Sequence, residues 1–207
     1  MYIPKHFKMD DEEVIHDFIE KYGFATLFSQ HKGEPYATHL PLMLNKSENA
    51  LYGHFARPNE QWKDAANQQV LVIFQGPHCY ISPTWYETTK AVPTWNYVSI
   101  HLYGKLEIIE DRKEIVESLV DLVNKYEGPD STYHLNDVEP SFIEGMIKGI
   151  VAFRIKITKI EAKAKLSQNH SVERQELIIK NLENTSQPDQ IQVASLMKKQ
   201  SWGQVLS

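Results

Sequence analysis

Short runs of apolar residues, each bounded by turn residues, fill the middle of the chain and restrict the folds open to it. Residues 24–29, 36–44, 51–55 and 70–74 have the length of single strands, and residues 80–82 begin another extended piece. Residues 100–108 and 150–160 alternate in the pattern of a strand. Strands and helices do not follow each other in the regular alternation of βαβ units, so a parallel sheet is not expected. The pattern predicts a mainly β fold, a closed antiparallel barrel with helices around it.

Helical patterns flank these strands. Asp10 and Asp111 each precede a helix, and each has a glutamate three residues later, in the spacing of a capping box. Because the composition changes after the last strand, we expect residues 1–165 to form the barrel domain and residues 166–207 a helical extension packed on it. The further helical patterns cover residues 58–67, 141–148, 172–182 and 191–199.

The composition excludes several classes of protein. Apolar residues make up 42% of the chain and charged residues 24%, which is typical of a folded globular protein. No apolar run approaches the roughly 18–20 residues that a membrane span needs, so we expect no membrane association. The N-terminus has no secretion signal, and the single cysteine, Cys79, fits a reducing compartment, so we expect a cytoplasmic protein.

The charge of the chain bears on its partners. The formal net charge is −5, whereas proteins that grip phosphate backbones by bulk electrostatics are usually basic. DNA binding would therefore require a local basic surface. The best candidate is the C-terminal helical pair, although its connection is longer than the turn of a helix-turn-helix, and a packed helical hairpin is favoured instead. The basic residues of that pair are Arg174, Lys180, Lys198 and Lys199.

Two clusters at strand ends carry chemistry. Thr38-His39-Leu40-Pro41 interrupts a strand, and since proline cannot donate to a sheet ladder, it marks either an edge strand or a place where backbone groups meet a planar ligand. On these residues alone we favour the edge strand. Residues 52–63 run from a strand into a helix, with Arg57, His54 and Lys63 near its start. This arrangement indicates either an anion site or a capped helix with solvated charges.

A third cluster is aromatic. Trp85 and Tyr86 are close in sequence to Trp95 and Tyr97, and Thr94 and Asn96 add polar groups between them. Such a density of rings is typical of a wall for a planar ligand, and it is equally typical of a core or a dimer interface. The scattered histidines have no metal-ligand spacing, and we predict no metal site.

Together these runs resemble the PaiB family, and the resemblance covers nearly the whole chain. It implies an FMN-binding split barrel, with homodimers that hold flavin in clefts at the subunit interface. It also implies a function as a negative transcriptional regulator of protease synthesis and sporulation. The runs that carry the resemblance are Thr38–Pro41, Gly53–Asn59, Gly76–Pro83, Val92–Tyr97 and Lys165–Asn169.

The same resemblance assigns FMN-binding positions in three groups. The first group would lie along the flavin ring, the second would hold the ribityl phosphate, and the third would reach the site from the partner subunit. The groups are Thr38, His39, Leu40 and Pro41; then His54, Ala56, Arg57 and Asn59 with Gln61, Trp62 and Lys63; then Pro93, Thr94, Trp95, Asn96 and Tyr97.

Two other functions stay open from the sequence. A flavin-dependent oxidoreductase acting on a small substrate is the main alternative, with His39, His78 or His101 as a proton donor. Haem handling ranks last, because no histidine motif singles out an axial ligand. The residues do not decide between a regulator and an enzyme, and we assign no catalytic residue.

Overall fold

A seven-stranded antiparallel sheet is the main structural element of the chain. The computed structural model describes residues 1–88, 90–128 and 130–205, and in them the strands follow the order β2-β1-β5-β6-β7-β4-β3. Six α-helices and three short 3-10 helices accompany the sheet among these described residues. The strands are β1 (Phe24–His31), β2 (Glu34–Pro41), β3 (Met43–Asn45), β4 (Ala50–Ala56), β5 (Gln69–Ile81), β6 (Thr94–Ile108) and β7 (Ile150–Lys165). The helices are α1 (Glu12–Lys21), α2 (Gln61–Ala65), α3 (Arg112–Glu127), α4 (Pro140–Lys148), α5 (Val172–Glu183) and α6 (Pro188–Val205).

The predicted strands are all present, but two predictions on their extent are wrong. Residues 70–74 and the extended piece at Tyr80 belong to one continuous strand, β5, which passes through Gly76 and Pro77. The predicted strand 36–44 is divided into β2 and β3 at Leu42. Strand β2 lies at one end of the sheet order, so Pro41 stands in an edge strand, as its missing N–H requires.

Helix α2 is much shorter than the predicted 58–67. The chain turns before it, where the backbone N–H of Asn59 donates to the carbonyl of Ala56. It cannot continue beyond Ala66, because Asn67 has a left-handed φ of 63° and donates its N–H to Leu106 on β6.

The helix caps follow the predicted chemistry at one of two sites. Asp111 accepts a hydrogen bond from the N–H of Glu114 at 2.9 Å, which confirms the predicted cap of α3. At α1 the cap is Asp11 and not Asp10. The Oδ1 atom of Asp11 accepts from the N–H groups of Glu13 and Val14 at 3.0 and 3.2 Å, because the helix begins one residue later than predicted.

The chain divides into two compact units. Unit 1 comprises residues 1–15, residues 75–100 and the described residues from 161 onward, and unit 2 comprises residues 16–74 and 101–160. Helices α5 and α6 belong to unit 1, where they pack against each other through apolar faces. A domain boundary after residue 165 stays a prediction, and residues 206 and 207 of the predicted extension lie outside the described residues. The buried residues between the two helices are Ile178, Ile179, Leu182, Val193, Ala194 and Met197.

Within unit 2, an apolar cluster joins α3 to the sheet. Ile115 and Leu119 of α3 are buried together with Ile109, Leu135 and Ala152. Burial of such aliphatic side chains stabilises a domain by about 1.5–3 kcal/mol for each residue. None of the described helices combines the length and the apolar character that crossing a membrane requires.

A network of charges on unit 2 gives stability a dependence on pH. The Glu107 carboxylate lies 3.1 Å from both Lys156 Nζ and Arg154 Nε, and these hydrogen bonds lower the pKa of Glu107 below its ordinary 4.5. A lowered pKa means that the stabilisation is present above pH 4.5 and is lost as the pH falls through the pKa of the folded state. Since the pair is partly exposed, we expect its contribution to be at most about 1 kcal/mol.

We therefore expect Glu107→Gln to lower the free energy of unfolding by up to about 1 kcal/mol at pH 7, with the difference shrinking below pH 4.5 and vanishing once the pH is below the folded-state pKa of Glu107. Urea denaturation of both proteins at several pH values measures this. Glu117→Gln is the control, because Glu117 forms only an exposed pair with Lys113. A deficit that persisted unchanged at low pH would show that the effect is not electrostatic.

Candidate functional site

The predicted FMN residues fall into the two different units. Residues 38–41 and 54–63 belong to unit 2, and residues 93–97 belong to unit 1. Their assignment to FMN stays a prediction, to which the structure adds the hydrogen bonds and burial of each side chain.

In unit 2, three of the predicted side chains form one polar network. The Gln61 side chain is fully buried; its Oε1 accepts from the Thr38 hydroxyl and its Nε2 donates to Ser29 Oγ at 2.9 Å. Asn59 Nδ2 donates to Thr38 Oγ1 at 2.9 Å, and Asn59 Oδ1 accepts from the N–H of Gln61. The network ties α2 to β1 and β2, so these side chains already have a structural role.

The Arg57 guanidinium is engaged by the backbone. Its Nε and Nη2 atoms donate to the carbonyls of Lys148 and Ile150, each at 2.6 Å, and its own N–H donates to the Gly149 carbonyl. Trp62 Nε1 donates in turn to the Arg57 carbonyl. Arg57 therefore clamps the connection between α4 and β7, and part of its donor capacity is used there.

The lysines near α2 are paired with a carboxylate. Glu60 accepts from Lys63 Nζ at 2.7 Å and from Lys32 Nζ at 3.2 Å, and these interactions lower the pKa of Glu60 to about 2. The negative charge of ionised Glu60 would repel a phosphate bound next to it. Helix α2 spans only five residues and so offers little helix dipole.

The remaining predicted residues of unit 2 divide between core and surface. Leu40 is buried, whereas His39 is exposed and its ring lies 6.4 Å from the ring of Phe24, which is itself 66% exposed. Burial lowers the pKa of His54, which favours a neutral imidazole. Ala56 ends β4 and is exposed.

Unit 1 brings together an exposed aromatic cluster of His78, Tyr80 and Trp95. The ring of Trp95 lies 5.5 Å from that of His78 and 6.4 Å from that of Tyr80, and Trp95 is 51% exposed. The sequence grouped Trp95 with Trp85 and Tyr86 instead. His78 and Tyr80 stood in the Gly76–Pro83 run, and His78 was a candidate proton donor, but neither was placed in the aromatic wall because β5 was not recognised as continuous; side chains two residues apart in a strand share a face.

The polar neighbours of Trp95 are held from the end of β7. Asn96 is fully buried; its Oδ1 accepts from the Ser167 hydroxyl at 3.1 Å and its Nδ2 contacts Met197 Sδ at 3.5 Å. Lys165 Nζ donates to the Thr94 hydroxyl and, at 2.7 Å, to the Trp95 carbonyl. Lys165 is a functional candidate that was not predicted from the sequence, although the Lys165–Asn169 run is one of those that carry the family resemblance.

The other two predicted residues of this group differ in burial. Pro93 is exposed before β6 begins. Tyr97 is half-buried, and the Lys163 ammonium lies 5.2 Å from the centre of its ring. Such a distance allows a cation–π interaction.

Thr94 and Asn96 line a cavity that lies wholly in unit 1. Its volume is about 340 Å³, and its wall also includes Lys165, His170 and Arg174. We call it the unit 1 pocket. A larger cavity of about 890 Å³ lies in unit 2 beside α3 and includes none of the predicted FMN residues.

Cys79 is not placed to act as a nucleophile. The side chain is buried on β5, and burial, together with the charge of Asp189, raises the pKa of its thiol to about 11. A thiol with such a pKa is almost entirely protonated at neutral pH, and the thiolate is the reactive form.

Comparison with known proteins identifies relatives in sequence and in structure. The family model described as "Putative FMN-binding domain" matches residues 1–159. The chain is 43% identical over 202 residues to "Protease synthase and sporulation protein PAI 2" of Bacillus subtilis, which covers 96% of this chain and 97% of the relative.

Two solved structures share the fold. The flavocytochrome Anf3 from Azotobacter vinelandii superimposes with a TM-score of 0.62 at 17% identity, covering 79% of this chain and 72% of its own. A conserved hypothetical protein from Mycobacterium tuberculosis gives 0.59 at 15% identity, covering 83% and 97%. At these identities the likeness establishes the fold alone, and it confirms the predicted split barrel with C-terminal helices. From the family match and the full-length relative, the chain belongs to the PaiB family, whose matching model carries the description "Putative FMN-binding domain".

Proposed function

We propose that this protein binds FMN as a homodimer and acts as a negative regulator of protease synthesis and sporulation. The family description supports the flavin, and the name of the Bacillus subtilis relative supports the biological process. The finer statements, that this chain itself takes up FMN, dimerises and regulates transcription, are the proposal.

The observation that carries the FMN part is the lining of the unit 1 pocket. Thr94 and Asn96, two side chains that the resemblance assigns to flavin, line the same cavity as the cations Lys165 and Arg174. Its volume of about 340 Å³ is within the range of small-molecule sites, which start at roughly 300 Å³. A cavity that offers both neutral polar groups and cations suits a ligand with a polar ring and a phosphate.

The exposed aromatic cluster supports the homodimer. Trp95 follows Thr94 in β6 and precedes Asn96, so its side chain leaves the opposite face of the strand and is not part of the pocket wall. There it forms an exposed aromatic surface with Tyr80, which is 45% exposed. Aromatic side chains are enriched at subunit interfaces, and exposed patches of them mark binding surfaces. We assign this surface to a second copy of the chain.

If this assignment is correct, Trp95→Glu converts the dimer to a monomer. Placing a carboxylate in the centre of the interface costs several kcal/mol, since the charge loses its hydration on association. Light scattering after gel filtration should give about 48 kDa for the wild type, twice the 24.0 kDa of the chain, and about 24 kDa for the variant. Val172→Glu, at a 65% exposed apolar residue outside the cluster, is the control and should remain a dimer. A monomeric wild type, or a dimeric Trp95→Glu, would remove this interface.

We propose that the protein regulates transcription indirectly, without binding DNA itself. The net charge is −5, and α5 and α6 are joined by residues 184–187 and bury their apolar faces against each other. Neither feature favours a helix that enters a DNA groove. Control through a protein partner or through flavin-linked metabolism fits these observations better.

Electrophoretic mobility shifts with promoter DNA and with random DNA at several salt concentrations test the indirect route. We expect no preference for the promoter. Promoter binding that is at least a hundredfold tighter than binding to random DNA would show direct repression instead.

Titration with FMN tests the flavin part of the proposal. We expect saturable quenching of flavin fluorescence on addition of the protein, with one FMN for each chain. Bleaching of the bound flavin band by a nicotinamide donor would favour the oxidoreductase, the alternative that the sequence leaves open. Absence of any bound flavin at saturating FMN would refute FMN binding.

A further inference from the structure

The unit 1 pocket is strongly cationic. Its wall includes the basic side chains of Lys90, Lys165 and Arg174 and the imidazoles of His6 and His170, and no carboxylate is among its described lining residues. Arg174 is neutralised from outside the wall, because its guanidinium holds Glu87 with Nε at 3.1 and 3.2 Å from the two carboxylate oxygens. The positive charge that remains belongs to the two lysines.

Lys165 is the cation best placed to meet a ligand. Its ammonium group has three N–H donors, of which two are used by the Thr94 hydroxyl and the Trp95 carbonyl. No carboxylate of the described residues lies within ion-pair distance of it. Burial and the neighbouring Lys163 lower the pKa of Lys165, because both disfavour its charged ammonium form. An anion bound beside Lys165 would relieve this cost.

Lys163 strengthens the positive potential from the same strand. It is buried, its Nζ donates to the Tyr2 carbonyl at 3.3 Å, and it lies over the rings of Tyr2 and Tyr97. None of these partners neutralises its charge. Lys163 is not part of the pocket wall, but its charge acts on Lys165, two residues further along β7.

An uncharged donor completes the pocket wall. Burial lowers the pKa of His170, which favours the neutral imidazole. Its Nδ1 lies 3.4 Å from Arg174 Nη1, which can only donate, so the proton of the neutral ring belongs on Nε2. No described residue accepts a hydrogen bond from that N–H.

We propose that the unit 1 pocket is a phosphomonoester site, with Lys165 as its central cation and Lys90 and His170 as further ligands. Lys90 and Lys165, which have no carboxylate partner among the described residues, match the charge of a phosphomonoester dianion, and its three terminal oxygens can accept from several donors at once. The cationic half of the wall, from Lys165 to Arg174, lies beyond residues 1–159, which the family model matches. The site therefore combines residues of the matched domain, such as Lys90 and Thr94, with residues of the segment that follows it.

The phosphomonoester has two sources: the phosphate end of FMN, or a separate phosphorylated metabolite. The assignment of the pocket to phosphate does not depend on the proposed function, since both sources share the group that Lys165 recognises. Binding of inorganic phosphate is the simplest probe of that shared chemistry.

The test is calorimetric titration with inorganic phosphate at constant ionic strength, made on the wild type, Lys165→Met and Lys180→Met. Lys180 is an exposed lysine on α5 outside the pocket wall, and its variant is the matched control. We expect saturable binding to the wild type and the control, and at least tenfold weaker binding to Lys165→Met. Circular dichroism checks the fold, and Lys165→Arg, which keeps the charge, should retain most of the affinity.

Titration of FMN with and without saturating phosphate then separates the sources. Competition places the phosphate end of FMN in the pocket, and independent binding assigns the pocket to a separate phosphomonoester; both support the site. Equal phosphate binding by folded Lys165→Met and Lys180→Met, or no saturable binding by the wild type, would overturn it. If FMN still binds in that case, the proposed function stands without the phosphate site. If phosphate binds and FMN does not, the phosphate site stands and FMN binding is refuted.

Discussion

Gly104→Ala is expected to lower the free energy of unfolding by about 3 kcal/mol, because a methyl group has no room at this position. Gly104 is buried in β6, and a Cβ atom there would lie 2.5 Å from Ile155 Cγ2 and 2.5 Å from the Lys156 carbonyl oxygen. The second contact is with backbone, so β6 and β7 would have to separate. Thermal unfolding should shift downward by about 6–12 °C for a chain of this length.

The control for this substitution is another glycine. Gly145 lies inside α4, and among the described residues no atom outside the helix backbone comes within 4 Å of the place where its Cβ would be. Gly145→Ala should raise the stability by about 0.5–1 kcal/mol, since alanine is the better helix former. Equal midpoints for the two variants in urea would contradict the close approach of β6 and β7.

Gln61→Met has the second largest expected effect, a loss of about 2–3 kcal/mol. The thioether has a volume similar to that of the amide, but it cannot replace the hydrogen bonds to Ser29 Oγ and the Thr38 hydroxyl. Buried polar groups left without a partner cost about 1–3 kcal/mol each. Urea denaturation measures the loss, and we expect the folded variant to keep the FMN affinity of the wild type.

Gln68→Met is the matched control, because Gln68 is exposed and follows the same helix. Its free energy of unfolding should stay within about 0.5 kcal/mol of the wild type. Urea denaturation and FMN titration together distinguish a structural role of Gln61 from a role in binding FMN. A variant of normal stability with weakened FMN binding would show that Gln61 serves the ligand, as the resemblance predicts, and that the buried network matters little.

The elements of the fold were predictable where local chemistry decides them. Asp111 caps α3 because its side chain meets an N–H three residues away, and a reader of the sequence can see both partners. Helix α2 was predicted too long because its end depends on Asn67 donating to Leu106, a residue 39 positions further along the chain. Strand β5 was divided because Gly76 and Pro77 are turn residues in most contexts, and only pairing within the sheet keeps them extended.

The residues of the candidate site were also predictable only where neighbouring positions in the sequence decide their role. Thr94, Asn96 and Trp95 were chosen from their density of polar and aromatic groups, and the structure places two of them in the wall of a pocket. Lys165 was not chosen, since its significance lies in what surrounds it: a hydroxyl and a carbonyl from β6 and the lack of a described carboxylate. In contrast, Arg57 looks like a phosphate ligand in sequence, and its hydrogen bonds to Lys148 and Ile150 became visible only in three dimensions.

The central claim is that this chain holds FMN, and a crystal structure determined in the presence of saturating FMN tests it most directly. We predict one FMN for each chain, in contact with Thr94 or Asn96 in the wall of the unit 1 pocket. Crystals that contain no flavin at saturating FMN, or flavin bound away from both residues, would contradict the account.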